Sequence, residues 1–549
     1  MRKTLYFVML LYLPFLAFSQ ENLNFYGSLE SNSQWLQDDE ELEFTAPPEN
    51  FRSNNYFTFN FEYQGFTAGL QYEAYLPTPL LGYDPRLEGN EIASYYAGYK
   101  NEILDVTAGY FYEQFGSGLI LRFWEDRQLG INNAMKGIRL GFRGIEHLEL
   151  TALFGEQRVG FETSEGTIGG LDVNLDLSSW AGAEAYDLGL GASVVNRFQN
   201  AGEFENVPAS VTAFSGRVNF NFANFFSELE AVYKQPDVLV YNRSITNQRE
   251  TFGGSAWLLN FGYAIPGFGI NATLRRLENF SFYSDRLAEG NQYNRQLINY
   301  VPALTKQHDY LLNNIYVYSS QPRLLLLTSQ RQAGEIGAQI DLFFSLPKKS
   351  FLGGKYGTKF EFNYSNWAGL DSKFDIPDNT YTSEFFSRGE TYFREVGFSV
   401  RKRWNKEWSG IYSITDIKID EGVTIGSPLG FYFINAGIGV IENTYRLGRG
   451  RSVRLELQHL WTKNDRGNWA GGLLEYNFSP TIGIYAADSW NYGGDPAFHY
   501  YNFGGSYSHG SARIAFNYGR QRGGLICIGG VCRYVPENTG LSVNLQLSF

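Results

Sequence analysis

The sequence predicts an all-β protein, a transmembrane antiparallel β-barrel of the outer-membrane type with roughly 24 strands, within about 20 to 26. Three observations predict it. Apolar and polar residues alternate at period two in many short segments, and side chains alternate faces along a strand. Beyond the first twenty positions no apolar run reaches 18 residues, so no helical span is expected. Short turns alternate with longer polar loops, the asymmetry of a barrel with turns on one side and loops on the other.

Composition agrees. Aromatic residues make up 17% of the 549 positions, with 60 Gly and only 17 Pro, while charged residues reach 19%. A soluble chain carries about a quarter charged residues. Without helices, a closed barrel is the remaining way to satisfy every backbone group inside a bilayer. The net charge of −12 argues against nucleic acid as a partner, because that surface must be basic. Acidic residues 38–41 lack the spacing of a calcium loop and read as solvated.

The chain starts Met1-Arg-Lys, followed by an apolar stretch from Leu5 to Phe18 and the small residues Ala17 and Ser19. This is the pattern of a signal peptide over 1–19, cut between Ser19 and Gln20. Residues 20–549 are then expected to form one barrel domain, beginning with a strand over 23–35.

The strands that follow carry one oily and one wet face. Phe57, Phe59, Phe61 and Tyr63 oppose Thr58, Asn60 and Glu62. Ile336, Ala338, Ile340, Leu342 and Phe344 oppose Glu335, Gln339 and Asp341. Phe360, Phe362 and Tyr364 oppose Lys359, Glu361 and Asn363. Val453, Leu455, Leu457 and Trp461 oppose Arg454, Glu456 and Gln458. Charged residues face lipid only at high cost, so the wet faces are expected to line the lumen. A soluble sandwich alternates too, but needs far fewer strands. Eleven short turns are expected, from 64–65 to 508–511. Twelve longer loops alternate with them, among them 113–135, 155–168, 235–251, 279–331, 368–389 and 520–540. Both chain ends then fall on the periplasmic side. The last strand, Leu541 to Phe549, alternates cleanly and ends on an aromatic.

Chemistry concentrates in three places. Alternation breaks after Tyr112, and Arg122, Trp124, Glu125, Asp126 and Arg127 crowd together. Opposite charges this close either brace a segment folded into the barrel, constricting it, or remain solvated on an ordinary outer loop. Residues 279–331 form the longest stretch without period. Tyr300, Lys306 and His308 mark it as a second candidate for an inward loop, because loops of this length are usually functional or disordered and aromatics argue against disorder. Gly529-Gly530 is a two-residue hairpin signal. It sets Cys527 opposite Cys532 at a non-hydrogen-bonded position, with Cα atoms about 4.5 Å apart, which a disulfide accepts. Export permits the oxidation. The hairpin is then expected on the outer face, held rigid at the mouth as a docking edge or lid support.

Nothing in the sequence points to catalysis. The five histidines, 147, 308, 459, 499 and 509, lack metal-ligand spacing, and no Gly-x-Ser-x-Gly elbow occurs. No cofactor is expected. The stretches 112–122, 299–308 and 518–533 resemble a family of Bacteroidota outer-membrane proteins without assigned function. That resemblance implies place and fold and transfers no activity. The terminal Phe549 resembles the closing signal of other outer-membrane barrels, implying the barrel assembly machinery and outer-membrane lipids as partners. Two functions remain open: a passage for solute or polymer constricted by loops, and a scaffold or binding subunit of an outer-membrane export, assembly or surface complex.

Overall fold

A computed structural model describes residues 23–549, apart from 85, 201, 203–205, 242–243, 289–296, 328–329, 376–377, 379 and 425–431. The expected signal peptide over 1–19 lies outside the described residues. Twenty-four strands form one antiparallel sheet, each bonded to its sequence neighbour in the wall. The sheet closes where the first strand, Leu23–Gln37, pairs with the last, Asn538–Ser548, from Ser28↔Ser548 to Gln37↔Thr539. Closure leaves no edge, so every wall strand has a partner on both sides.

The period-two faces orient as their chemistry requires. Outward rows carry exposed large apolar side chains such as Phe154, Ile414 and Leu474. Glu335, on an inward row, is fully buried. Eleven short turns gather at one end of the barrel, and the longer connections at the other.

Three expected loops are largely ladder instead. Strands Leu148–Val159 and Glu162–Asp176 meet across a two-residue turn. Phe225–Tyr241 and Ser244–Ile265 run on through most of 235–251, and Thr358–Asp375 and Thr380–Arg403 through most of 368–389. These extensions carry polar residues on both faces, so the sequence shows no oily stripe there. Inter-strand hydrogen bonds continue regardless, and register shifts between Lys234 and Leu239 and between Trp367 and Ser372 bend the extensions. Pro236 sits in the first of these shifts, where a missing N–H costs the ladder little.

The seam is locked by Phe549. Its N–H donates to Gly27 O at 3.0 Å and its carbonyl accepts from Gly27 N at 2.9 Å. Its ring stacks on Phe57, centroids 6.2 Å apart. A Cβ on Gly27 would lie 2.7 Å from that ring, so only glycine leaves room. Removing Phe549 should therefore reduce the heat-modifiable, folded fraction recovered from the outer membrane, because the seam loses two hydrogen bonds and a ring contact. Unchanged recovery on semi-native gels would contradict this role.

Candidate functional site

The wall's inner face changes chemistry halfway along the strands. In Phe433–Gly448 the inward row reads Ile434, Ala436, Ile438, Val440 and then Glu442. In Ser210–Phe222 it reads Val211, Ala213, Ser215 and Arg217. In both of these strands the apolar half lies toward the long loops. A water-filled lumen would have no use for such residues. Here they are dry, because two loops fold inward onto them.

The first loop covers 112–134. Two short antiparallel pairs shape it, Glu113–Phe115 with Leu121–Phe123 and Glu125–Asp126 with Ile131–Asn132. Phe115, Leu119, Ile120, Leu121 and Phe123 pack against inward Val195, Val211, Val232 and Leu277. Ile120 and Leu121 are 0% exposed. From the second loop, 279–333, Phe280, Phe282, Ile298 and Val301 join the same cluster. The loops bond to each other, Arg122 N to Ile298 O at 2.8 Å and Tyr300 N to Gly118 O at 2.9 Å. Further along the second loop, Leu312, Tyr316 and Tyr318 enter another cluster with Trp367, Phe393, Ile419 and Trp469.

Buried charge fixes the loops in register. Arg275 of the wall donates to Glu335 at 2.7 Å and to the loop carbonyl of Pro302 at 2.6 Å. Glu335 in turn accepts from Tyr318 Oη at 2.6 Å and from the Gln321 N–H at 2.7 Å. Asp237 is shared by Arg197 of the wall and Arg286 of the loop, at 2.6 and 3.0 Å. Such pairs add little net stability, but breaking one strands a charge at about 3–5 kcal/mol. They penalise any other seating of the loops.

The structure divides the crowded residues of 122–127. Arg127 binds Glu125 at 3.1 Å and reaches Glu30 of the first strand at 2.8 Å. Arg122 lies over the rings of Tyr300 and Trp124, at 4.0 and 5.0 Å. Asp126 accepts from the Leu129 N–H at 2.8 Å and so closes a local turn. The group is thus a set of separate ties. In the second loop Tyr300 meets the first through Arg122, Lys306 reaches Asp341 at 3.4 Å, and His308 Nε2 lies 3.1 Å from Glu395. Ser117 N–H donates to Glu230 at 3.0 Å, and its hydroxyl donates to the same carboxylate.

Cys527 and Cys532 are bonded, with Cα atoms 4.0 Å apart, and Gly529 and Gly530 take positive φ of 56° and 81°. The hairpin Gly524–Ile528 with Val531–Val535 meets the second loop. Ala303 N donates to Gly530 O at 2.7 Å, and Tyr300 Oη to Gly529 O at 3.2 Å. A Cβ on Gly530 would lie 2.2 Å from Ala303 O. The hairpin clasps the second loop.

Beneath the loops, on the short-turn side, the lumen opens into a cavity of about 800 Å³. Lys306, His308 and Tyr310 hang from its roof, and Glu361, Arg401 and Arg454 stand on its wall. Its charges are matched: Arg401 to Glu361 at 3.0 Å, Arg454 to Glu442 at 3.2 Å. A second space of about 540 Å³ lies beside Glu30, Arg127 and Glu475. Among the described residues no group of three or more His, Cys, Asp and Glu could hold a metal. The roof residues were legible as breaks in alternation. The apolar inner wall was missed, although its signal, an oily inward row turning polar mid-strand, is present in the sequence.

At the long-loop end, burial raises the Glu421 carboxyl to about 7, with Asp465 adding to the rise, Arg522 opposing it and Asp420 adding again.

A family model described as a family of unknown function, DUF6029, matches residues 1–549. No curated protein matches the sequence. Similar solved structures include the outer membrane protein OpdK from Pseudomonas aeruginosa, at TM-score 0.35 and 8% identity, covering 96% of this chain and 99% of that one. A BenF-like porin from Pseudomonas fluorescens Pf-5 has TM-score 0.34 and 9% identity, covering 80% and 98%. The copper transporter OprC has TM-score 0.41 and 10% identity, covering 96% and 80%.

Two outcomes follow from this geometry. Gly530→Val adds a β-branched side chain where φ is positive and space is absent, a strain of about 1–2 kcal/mol before the clash. Hydrogen exchange should accelerate in 298–304 and 524–535 while the barrel stays heat-modifiable. For Glu421, a carboxyl raised from 4.5 to about 7 stabilises its surroundings below pH 4.5 and loses that contribution as pH rises through 7. Protection factors in 416–424, corrected for the intrinsic rise of amide exchange with pH, should therefore fall across that window in the parent protein and stay flat in Glu421→Gln.

Proposed function

This chain belongs to that family of unknown function, and we propose from its own geometry that it is an outer-membrane passage that rests closed. In this reading residues 1–19 direct export, the short turns face the periplasm and the long loops face outward. The barrel assembly machinery inserts the chain, and its apolar outer belt contacts membrane lipid. The cavity beneath the loops is a periplasmic vestibule with paired charges on its wall. Solute or polymer crosses only when 112–134 and 279–333 leave the apolar wall.

One observation carries this reading: an apolar, loop-filled half directly above a half that holds a cavity with charged walls. A barrel meant only as a membrane anchor needs no polar vestibule. An open porin needs no apolar inner wall. The second reading, a scaffold or binding subunit of an outer-membrane complex, draws support from the ladder extensions, where Phe386 is 90% exposed.

Planar-bilayer recordings separate the two. The parent barrel should be nearly silent, and deletion of 116–132 should give discrete conducting steps while folded protein is still recovered. A correctly assembled deletion variant that stays silent would favour the scaffold.

A further inference from the structure

Eight of the eleven short turns contain no Lys or Arg. The other three, 347–357, 404–407 and 449–450, are successive along one sector of the rim. The first holds Lys348, Lys349 and Lys355. The second holds Lys406 and is entered through Lys402 and Arg403; the third places Arg449 between Arg446 and Arg451. Glu407 is the one acid among residues 347–357, 402–408 and 445–451. In a chain of net charge −12 this is a concentrated reversal of sign.

The sector is also apolar, and it leans toward the lipid. Lys402 lies in the outward row with Phe398, and its ammonium donates to Leu352 O at 3.1 Å and Gly353 O at 2.7 Å. That tie draws the turn 347–357 to the barrel's outer perimeter. There Phe351 is 99% exposed and Leu352 63%. Beside them Trp404 packs on Trp408, centroids 5.5 Å apart, and donates its indole N–H to Tyr412 Oη at 3.0 Å. Indole and phenol rings on an outward face are how a barrel marks the boundary between acyl chain and headgroup. Ammonium and guanidinium groups at that depth meet phosphodiester anions.

We propose that this sector binds anionic phospholipid headgroups of the leaflet on the short-turn side. The Lys and Arg side chains pair with the phosphates, while Phe351 and Leu352 enter the acyl boundary. An acidic protein would match the charge alone. It would leave two adjacent, nearly bare apolar side chains next to a tryptophan pair unexplained. The proposal does not depend on whether the lumen conducts.

Native mass spectrometry of the full chain in neutral detergent tests it, with dioleoylphosphatidylglycerol set against dioleoylphosphatidylcholine. The parent protein should retain the anionic lipid at least about tenfold better, as expected when several basic groups act together. K348Q/K349Q/K355Q/K406Q/R449Q should abolish the preference, and F351S/L352S should weaken retention of both lipids. If the five-site variant does not fold, K348Q/K349Q/K355Q, all at exposed positions of one turn, should still lower the preference severalfold. A parent protein without preference overturns the proposal. So does a folded charge variant that keeps it, which would leave this rim as the face for an acidic protein.

Discussion

The structure depends on one constraint, that no backbone N–H or C=O can go unpaired inside a bilayer. Strands meet it only by closing on themselves, and this sheet does so with twenty-four. Closure at that number makes a wide lumen, since diameter grows with strand count. The lumen must then conduct or be filled. The inward loops, their apolar seat and the buried ion pairs are all responses to a space that closure itself created.

The filling uses two kinds of force with separate tasks. Apolar contact between Ile120, Leu121 and the Val195–Val211–Val232 wall drives water from the loop-end half. That force is non-directional and would accept several seatings. Arg275–Glu335 and the Arg197–Asp237–Arg286 group are directional. They accept one seating and make the others costly. A closed state built in this way is defined by charge pairing and held by burial. In the proposed passage, opening would require both to be released together.

The two longest hairpins show why parts of the fold were hidden. Residues 235–251 and 368–389 read as loops because a strand outside the membrane needs no oily face, and its ladder leaves no mark in hydropathy. The charges at 122–127 read as one cluster because they are adjacent in sequence. In space they point to different neighbours: Arg122 to Tyr300, Arg127 to Glu30. Adjacent residues on an irregular loop share no direction, so spacing alone could not apportion them. The half-oily inward row was visible in Ile434 to Glu442, but it needed a reason for apolar side chains to face a lumen.

By itself the sequence determined the closed antiparallel barrel, its strand count and the positions of its short turns, because period two and turn residues are local and the membrane allows one way to join them. It also determined that Cys527 stands opposite Cys532, since a two-glycine turn sets the register of its own hairpin. Only the tertiary structure decided that the loop-end half of the lumen is filled, that the hairpin clasps the second loop, and that three basic turns form one sector. Each of these joins residues tens to hundreds of positions apart, such as Ala303 and Gly530. No local pattern encodes a contact whose partner is selected by the closing of the whole wall.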